Sequence, residues 1–506
     1  MKLIRKMQLT ITLSLSLVLS LFCQDYGMQW VQGTGPVSRM DFRNDTIQFH
    51  YLTSSDSTTL FIGTANVCDK NGNFQFFTNG IAVYDRYGNK MPNGDTLSFY
   101  NYNYWLSINA GAPNDQGVMI LPKPGNDEIY YIFHFVPTDT NFTYQGMSYS
   151  EPTHFYYSLV DMSMNFGLGD VFAKDVRLPL NGVNCASKMT AVRHANGRDW
   201  WIIRHGWKDN KYIKFLLTPD EVLGPYFQNI GPAFQQNGKT FDYYGTSVFN
   251  QQGTQMASVN AWSPTVVLDF DRCSGEFSNP LVIKNRLSDT TILGGYGLSF
   301  SPSGRFLYVN TKLLLNQYDL WSATPNDSVE IYKVDSTDGY YMHQQRLAPN
   351  GKIYISTYHG GTHHLHVINQ PDSLGLACGF QFQGQECITS NTWNLPNMVN
   401  YKLGALVGSG CDTIITGIRP EIQNIRQIQV YPNPAGSKIK ITVTGRQKSG
   451  VVTVYNTLGE VMGEALVNGF VELDVSGFQN GVYQLVFTDI GGLKHSTRLV
   501  VAKGEK

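Results

Sequence analysis

Two stretches decide how this chain folds: Ser301-Pro302-Ser303-Gly304-Arg305-Phe306-Leu307-Tyr308-Val309 and Ala348-Pro349-Asn350-Gly351-Lys352-Ile353-Tyr354-Ile355. Each reads as a tight polar turn ending in Gly, then a short run of β-branched and aromatic residues, the composition of a half-buried strand. The same punctuation recurs upstream. Lys70-Asn71-Gly72 precedes Phe74-Gln75-Phe76-Phe77, and Pro124-Gly125 precedes Ile129-Tyr130-Tyr131-Ile132-Phe133. Ala195-Asn196-Gly197 precedes Trp200-Trp201-Ile202-Ile203, and Gln252-Gly253 precedes Met256-Ala257-Ser258-Val259. The turn glycines at 72, 125, 197, 253, 304 and 351 are spaced by 53, 72, 56, 51 and 47 residues, near the about 40–50 residues of a propeller blade. Downstream segments Ile81–Asp85, Val266–Asp271, Val329–Val334 and His366–Ile368 read as hairpin partners. No stretch keeps a capped helical period over three turns. A hairpin too thin to bury its own apolar face must stack on neighbours, and closing the stack into a ring leaves only short edges exposed. The expected fold is all-β: a six- or seven-bladed β-propeller over residues 24–411, followed by a smaller β-unit.

The composition narrows the function classes. With 38 Lys and Arg against 39 Asp and Glu, the chain has no surplus of positive charge for a phosphate backbone, which excludes a nucleic-acid partner. Only 15% of its 506 residues are charged and 13% are aromatic, the opposite of a disordered composition. At the N-terminus, Lys2, Arg5 and Lys6 precede the apolar run Leu9–Phe22. Its 14 residues are short of the about 20 that span a bilayer, and the pattern is that of a secretory signal peptide over residues 1–23, cleaved before Gln24. A lipoprotein anchored through Cys23 is the rival, opposed by the bulky Phe22. No later segment is apolar enough to span, so the mature chain is expected to carry no transmembrane segment. Six cysteines follow the cleavage point, and they allow 15 connectivities. Cys378 and Cys387 close the shortest loop and are the easiest pair to join; buried free thiols are the competing reading.

Several segments carry family resemblances. The two Ser/Ala-Pro-x-Gly copies resemble blades of WD-like and YVTN-type propellers. Lys188–Trp201 and Asn391–Asn397 are similar to segments of secreted propellers from Gram-negative bacteria. Those resemblances imply a fold and no activity. After Cys411 the texture changes: residues 412–427 read as a linker, and residues 428–506 as about seven short strands joined by Gly and Asn turns, which suits a small Ig-like β-sandwich. This tail resembles the type A C-terminal sorting domain of the type IX secretion system. The motif positions are the opening Tyr431-Pro432-Asn433-Pro434, Gly459 in the central Tyr-Asn-x-x-Gly turn, Gly481 and Tyr483 in the strand start Asn480-Gly481-Val482-Tyr483, and a Lys-bearing end. The alternative is an Ig-like stalk or adhesion module. The resemblance implies an address: a signal peptide takes the chain to the periplasm, an outer-membrane translocon reads the tail, and the cargo is released or attached to surface lipopolysaccharide.

Candidate chemistry is sparse. His359-Gly360-Gly361-Thr362-His363-His364-Leu365-His366 is the densest imidazole cluster; strand alternation puts His364 and His366 on one face, where they share a metal or simply pack. Asp69, Asn71 and Asn73 alternate like the start of a calcium loop, yet Gly72 falls too early and Gly80 stands where an EF-hand needs Glu; a hairpin turn explains the same residues. His194, Asp199, Trp200, Trp201, Arg204 and His205 concentrate polar and aromatic groups in one blade, as inter-blade packing or as a sugar- or peptide-binding surface. There is no G-x-S-x-G elbow, H-E-x-x-H helix, P-loop or post-strand G-x-G-x-x-G. Asn141-Phe142-Thr143 fits a glycosylation sequon that a bacterial chain does not need. No catalytic, metal or cofactor residue is assigned. The expected function is a secreted or surface binding or scaffold protein for a glycan or protein ligand, with a matrix-contacting adhesin as a variant. The alternative is an extracellular hydrolase or lyase acting at the mouth of the propeller channel. Acidic or His side chains facing the channel favour the enzyme; an apolar or filled channel favours the binding protein.

Overall fold

The computed structural model describes residues 24–503 apart from 53–59, 61, 98–110, 113, 145–146, 184, 208, 234–244, 261–262, 284–295, 336, 338, 359–360, 392, 394, 413–427, 444–447 and 490–493. The expected signal peptide, the linker from 413 to 427, His359 and Gly360 lie outside the described residues. The chain divides into two compact units, Met1–Ile414 and Ile415–Lys506. No helix among the described residues is long and apolar enough to cross a membrane.

Among the described residues, the first unit is a β-propeller of seven antiparallel sheets, five of four strands and two of three. Blade 1 spans Gln29–Gln32 to Gln48–Tyr51, and blade 2 spans Ala65–Cys68 to Val83–Asp85. Blades 3 to 7 start with the inner strands Val118–Pro122, Cys185–Arg193, Gly245–Phe249, Gly297–Phe300 and Met342–Leu347. The inner strands of blades 2 to 7 pack side by side in chain order. The six turn glycines join the first two strands of these blades, and all take positive φ: 81°, 75°, 70°, 71°, 80° and 78° in chain order. That conformation strains any residue with a Cβ, so Gly marks each blade at the same place. The 72-residue spacing between Gly125 and Gly197 has a direct cause. Blade 3 contains a long hairpin of Ile129–Tyr144 and Met147–Asp161. In blade 6 the expected partner of the second strand is corrected: Leu314–Asp319 pairs with Phe306–Asn310, and Ser328–Lys333 is outermost.

Blade 1 lacks the repeat signal because the ring closes there. Its first strand runs opposite to the inner strand of blade 2: Asp25 N donates to Lys70 O, Cys68 N to Tyr26 O, and Leu60 N to Gly33 O. The open edge of Gln29–Gln32 is capped by the Asn66 amide, which donates to Gln29 O at 2.7 Å and accepts from Val31 N at 3.1 Å. A segment from the far end of the unit lies against this blade. Tyr51 OH donates to Ile388 O, Ser38 and Thr389 hydroxyls bond at 2.7 Å, and Thr34 N donates to Ser390 O. Residues 395–401 then run along the axis of the ring.

Asn397 sits at the centre, 2% exposed. Its N–H donates to Thr64 O of blade 2. Its Nδ2 donates to Val118 O of blade 3 at 3.1 Å and to Met189 O of blade 4 at 3.2 Å. Its Oδ1 accepts from Gln116 Nε2 at 3.1 Å, and Gln116 also exchanges hydrogen bonds with Ser247 N and O of blade 5. Arg346 of blade 7 donates to Met398 O, and Tyr401 OH donates to Ile120 O. The chain leaves the axis over blades 4 and 5, where a Cβ on Gly197 would lie 2.5 Å from Ala405 N. A disulfide between Cys273 and Cys411 fixes it there.

The second unit has seven strands in the order Ile428–Tyr431, Lys438–Val443, Phe470–Asp474, Val461–Asn468, Ser449–Tyr455, Gly481–Asp489, Lys494–Val501. Val461–Asn468 and Phe470–Asp474 join only at the corner pair Asn468 and Phe470, with Gly469 at φ 83°. The sheet folds there into a three-strand and a four-strand layer, and Ala435 bridges Val501 to bring the other ends together. Alternating residues such as Ile439, Ile441, Val452, Val454, Leu485, Phe487 and Leu499 fill the space between the layers, the pattern of a β-sandwich.

Replacing Asn397 with Ala takes one of two acceptors from Gln116 Nε2, which keeps Ser247 O, and a donor from each of two strand carbonyls in a buried centre, at about 1–3 kcal/mol per unsatisfied group. We expect N397A to lower the stability of the propeller by about 3 kcal/mol, measured by urea unfolding, and to broaden the transition as ring closure weakens.

Candidate functional site

Where the inner strands of blades 4 to 7 end, a cavity of 270 Å³ lies against the axial segment. Trp30, Phe249 and Phe300 contribute to its wall from blades 1, 5 and 6, and Met398 and Tyr401 from the axial segment. Arg346 reaches it from the inner strand of blade 7. That strand reads Met342-His343-Gln344-Gln345-Arg346, five buried residues of which four are polar. The Arg346 Nη1 donates to Met398 O at 3.1 Å, while Nε and Nη2 are buried without a partner. Burial pulls its pKa down to about 10, with Tyr401 acting in the opposite direction, so the guanidinium is charged at neutral pH. The other charged wall residue, Lys402, pairs with Asp25 at 2.9 Å. No carboxylate and no imidazole lines the cavity. A second, open groove of 540 Å³ lies between blades 5 and 6, where Trp321, 67% exposed, faces the polar residues Asn250, Gln255, Asp269 and Asp271.

The polar and aromatic cluster of blade 4 is packing. Trp200 lies under the Arg193 guanidinium, 3.8 Å from ring centre to carbon, and meets the Tyr401 ring at 5.9 Å. Trp201 faces the other way, as neighbours on a strand do, and its Nε1 donates to Arg272 O at 3.0 Å. Arg204 lies between the Phe135 and Phe155 rings. His194 is satisfied by Cys273 O and Asn196 N, Asp199 takes the Arg198 guanidinium, and His205 abuts the Tyr212 ring edge-on.

The other candidates are also used locally. Asp69 Oδ1 accepts from Asn71 N and Asn73 N, so the Asp-Asn-Asn series is a side-chain-stabilised hairpin turn. His366 is buried, accepts from Gln383 N through Nδ1 and stacks on Phe382 with ring centres 4.5 Å apart, while His363 is exposed. Among the described residues no group of three His, Cys, Asp or Glu converges on one point. The expected Cys378 to Cys387 bridge is not formed, and the two thiols are buried and free. They belong to different apolar clusters, Cys378 with Phe306 and Tyr308, Cys387 with Leu395 and Met398. The bridged cysteines are instead distant in sequence, 138 residues apart, which spacing alone does not reveal.

In the tail, the motif residues split between scaffold and surface. Asn433 Nδ2 donates to Arg498 O and its Oδ1 accepts from Val500 N, pinning the opening to the last strand. Tyr483 OH donates to Gln479 O, and its ring packs on Phe478 at 5.1 Å. Gly459 closes its turn at φ 84°. Gly481 opens a strand with nothing within 4 Å of a Cβ position. Lys503 Nζ donates to Ser476 O and Phe478 O. Tyr431 is 79% exposed, and Pro432 and Pro434 are exposed beside it.

Fold and site together define a seven-bladed propeller with a plugged axis, joined to an export-domain sandwich. Residues 429–502 match the family described as a secretion system C-terminal sorting domain. The tail is thus a type IX sorting domain, which addresses the chain to the cell surface or the medium. No curated protein matches the chain. Among solved structures, a protein described as functionally unknown from Desulfotomaculum acetoxidans DSM 771 is 12% identical, with a TM-score of 0.38 over 73% of this chain and 100% of that one. The β-propeller domain of Cps50 (Swd1) from Myceliophteria thermophila is 11% identical, with a TM-score of 0.30 over 76% and 97%. The assignment of seven blades rests on the sheets themselves.

Burial pushes the pKa of His366 down to about 4. Its unfolded value is near 6.5, so the unfolded chain binds the proton first and stability is lost as pH falls from about 6.5 to about 4. We expect H366Q to remove on the order of 3 kcal/mol of that acid sensitivity, read as a flatter plot of unfolding free energy against pH.

Proposed function

We propose that the propeller is an exported binding or scaffold unit for a glycan or protein ligand. In this reading the segment 1–23 delivers the chain to the periplasm of a Gram-negative cell, the type IX translocon takes up the tail, and the propeller is the cargo that acts outside. The observation that carries the reading is the filled axis: Asn397 and Gln116 occupy the channel, and the one cavity described beside it has no Asp, Glu or His in its wall. Acid–base hydrolysis needs a proton donor and acceptor within hydrogen-bond reach of the substrate, and glycosidic cleavage needs two carboxyl groups. A hydrolase or lyase at the channel mouth, the competing reading, finds no carboxyl or imidazole group in this wall among the described residues. The aromatic wall of the cavity and the exposed Trp321 are surfaces of the kind that recognise sugars and peptides. The Cys273 to Cys411 bridge suits an oxidising destination.

The test of the binding role is an array of glycans and peptides probed with the purified full chain, each hit then incubated with the protein and analysed for cleavage. Capture without turnover is expected; cleavage of a hit establishes the enzyme instead. For export, removing residues 415–506 is expected to leave the protein in the periplasm, and its undiminished appearance outside the cell refutes the role of the tail.

A further inference from the structure

We infer that the groove between blades 5 and 6 binds an uncharged sugar ring, laid on the indole of Trp321 with its hydroxyls donating to Asp269. This rests on the binding reading above and specifies its site and ligand class. The seams on either side show what sets this one apart. In each of them, the turn between the third and fourth strands of one blade packs onto the blade before it. The blade 5 turn closes over Trp201 of blade 4: Trp201 Nε1 donates to Arg272 O at 3.0 Å, and a Cβ on Gly275 would stand 2.6 Å from that ring. The blade 7 turn closes over Tyr308 of blade 6, whose OH donates to Pro371 O at 2.8 Å, while Ser303 Oγ donates to Asp372 at 2.5 Å and Gln317 Nε2 to Ser373 O at 2.8 Å. The blade 6 turn, residues 320–327, has its hydrogen bonds within blade 6 and none to blade 5 among the described residues. It stands off, and the gap it leaves is the 540 Å³ groove, within the usual range for ligand pockets of roughly 300–1,000 Å³.

Trp201 and Tyr308 are buried in their seams, whereas Trp321 is exposed in this one, and a large exposed aromatic side chain calls for an explanation. Its backbone is fixed: Trp321 N donates to Asp319 Oδ1 at 3.1 Å, and the same carboxylate holds Arg305 through Nε at 3.0 Å and Nη2 at 2.7 Å. On the blade 5 side, Asp269 accepts from Gln255 Nε2 on one oxygen and from Asn279 Nδ2 on the other, both at 2.9 Å. Each carboxylate oxygen has two lone pairs, so the two amides orient the group and leave an acceptor site on each oxygen. A sugar ring matches both walls, with a C–H face for the indole and hydroxyl donors at its rim. A cation is the other partner for an aromatic ring beside a carboxylate, but Arg305 already stands 5.8 Å from the Trp321 ring centre, and a second positive group there meets its charge. An acidic sugar meets Asp269 and Asp271 and finds no Lys or Arg in the wall. The chemistry of the groove therefore selects an uncharged ring.

The experiment is calorimetric titration of the full chain with cellotriose, mannotriose and galactotriose, beside trigalacturonate and trilysine as charged probes. At least one of the uncharged sugars is expected to bind more tightly than either charged probe, with an affinity that salt leaves unchanged. Trp321→Ala is expected to weaken that sugar about 10-fold, the value of a ring laid on an aromatic face, and Trp321→Phe to weaken it less. Asp269→Asn keeps the shape without the charge and is expected to weaken it about 5-fold. Should Asp269→Asn fail to fold, the exposed Trp321 variants and the comparison of probes on the unmodified chain still decide. No affinity for any of the three sugars, a charged probe bound as tightly, or an undiminished affinity in Trp321→Ala or Asp269→Asn overturns the inference. An array ligand whose capture ignores Trp321 removes this site while leaving the binding role; an array with no capture removes the role itself.

Discussion

A single buried amide at the axis holds the ring in register. Hairpin sheets stacked round a centre leave two problems that stacking cannot solve: a hole lined by backbone and side-chain polar groups, and a seam where the first blade meets the last. Residues 388–391 and 395–401 answer both. They cross the seam between blades 7 and 1 and then carry Asn397 into the hole, where its four hydrogen-bonding valences reach blades 2, 3 and 4 directly and blade 5 through Gln116. A buried amide with every partner in place specifies one arrangement, because any shift of a blade leaves a dry donor or acceptor unpaired.

The seam is closed with side chains where an ordinary sheet would use a ladder. Asn66 satisfies the open edge of blade 1, and the axial chain is tied at its exit by the Arg272 guanidinium and by the bridge from Cys411 to Cys273. A cross-link between residues so distant in sequence removes much freedom from the unfolded chain. It acts on the segment whose departure opens the ring. Apolar stacking of the blades then supplies the bulk of the stability, as the clusters joining neighbouring blades show.

The same closure leaves a cavity against the axial segment. Aligning Met398 and Tyr401 beside the strand ends of blades 4 to 7 leaves a gap that no repeat residue fills, and Arg346 reaches its wall because Met398 O holds its outer nitrogen. The two units are distinct: the propeller carries the cavity, and the sandwich carries the address.

Much of this was legible in the residue pattern. Gly at φ near 75° followed by an alternating apolar strand is a local requirement, so six of seven blades announce themselves; in the tail motif Gly459 and Tyr483 act on their own turns, while Asn433 reaches backbone 65 residues on. Blade 1 was silent because the segment packed against it comes from 351 residues away in sequence, and Asn391–Asn397 showed only as a family-like segment with no assigned task. The Trp and His concentration of blade 4 left packing and recognition both open, because hydrogen-bond partners and burial are properties of neighbours. For the same reason the easy cysteine pair proved unjoined and the distant pair joined. Local sequence determined the strands, their turns and the export tail through backbone sterics and side-chain periodicity. Which residues meet at the axis and which thiols pair are sums over seven blades, and only the closed ring decided them.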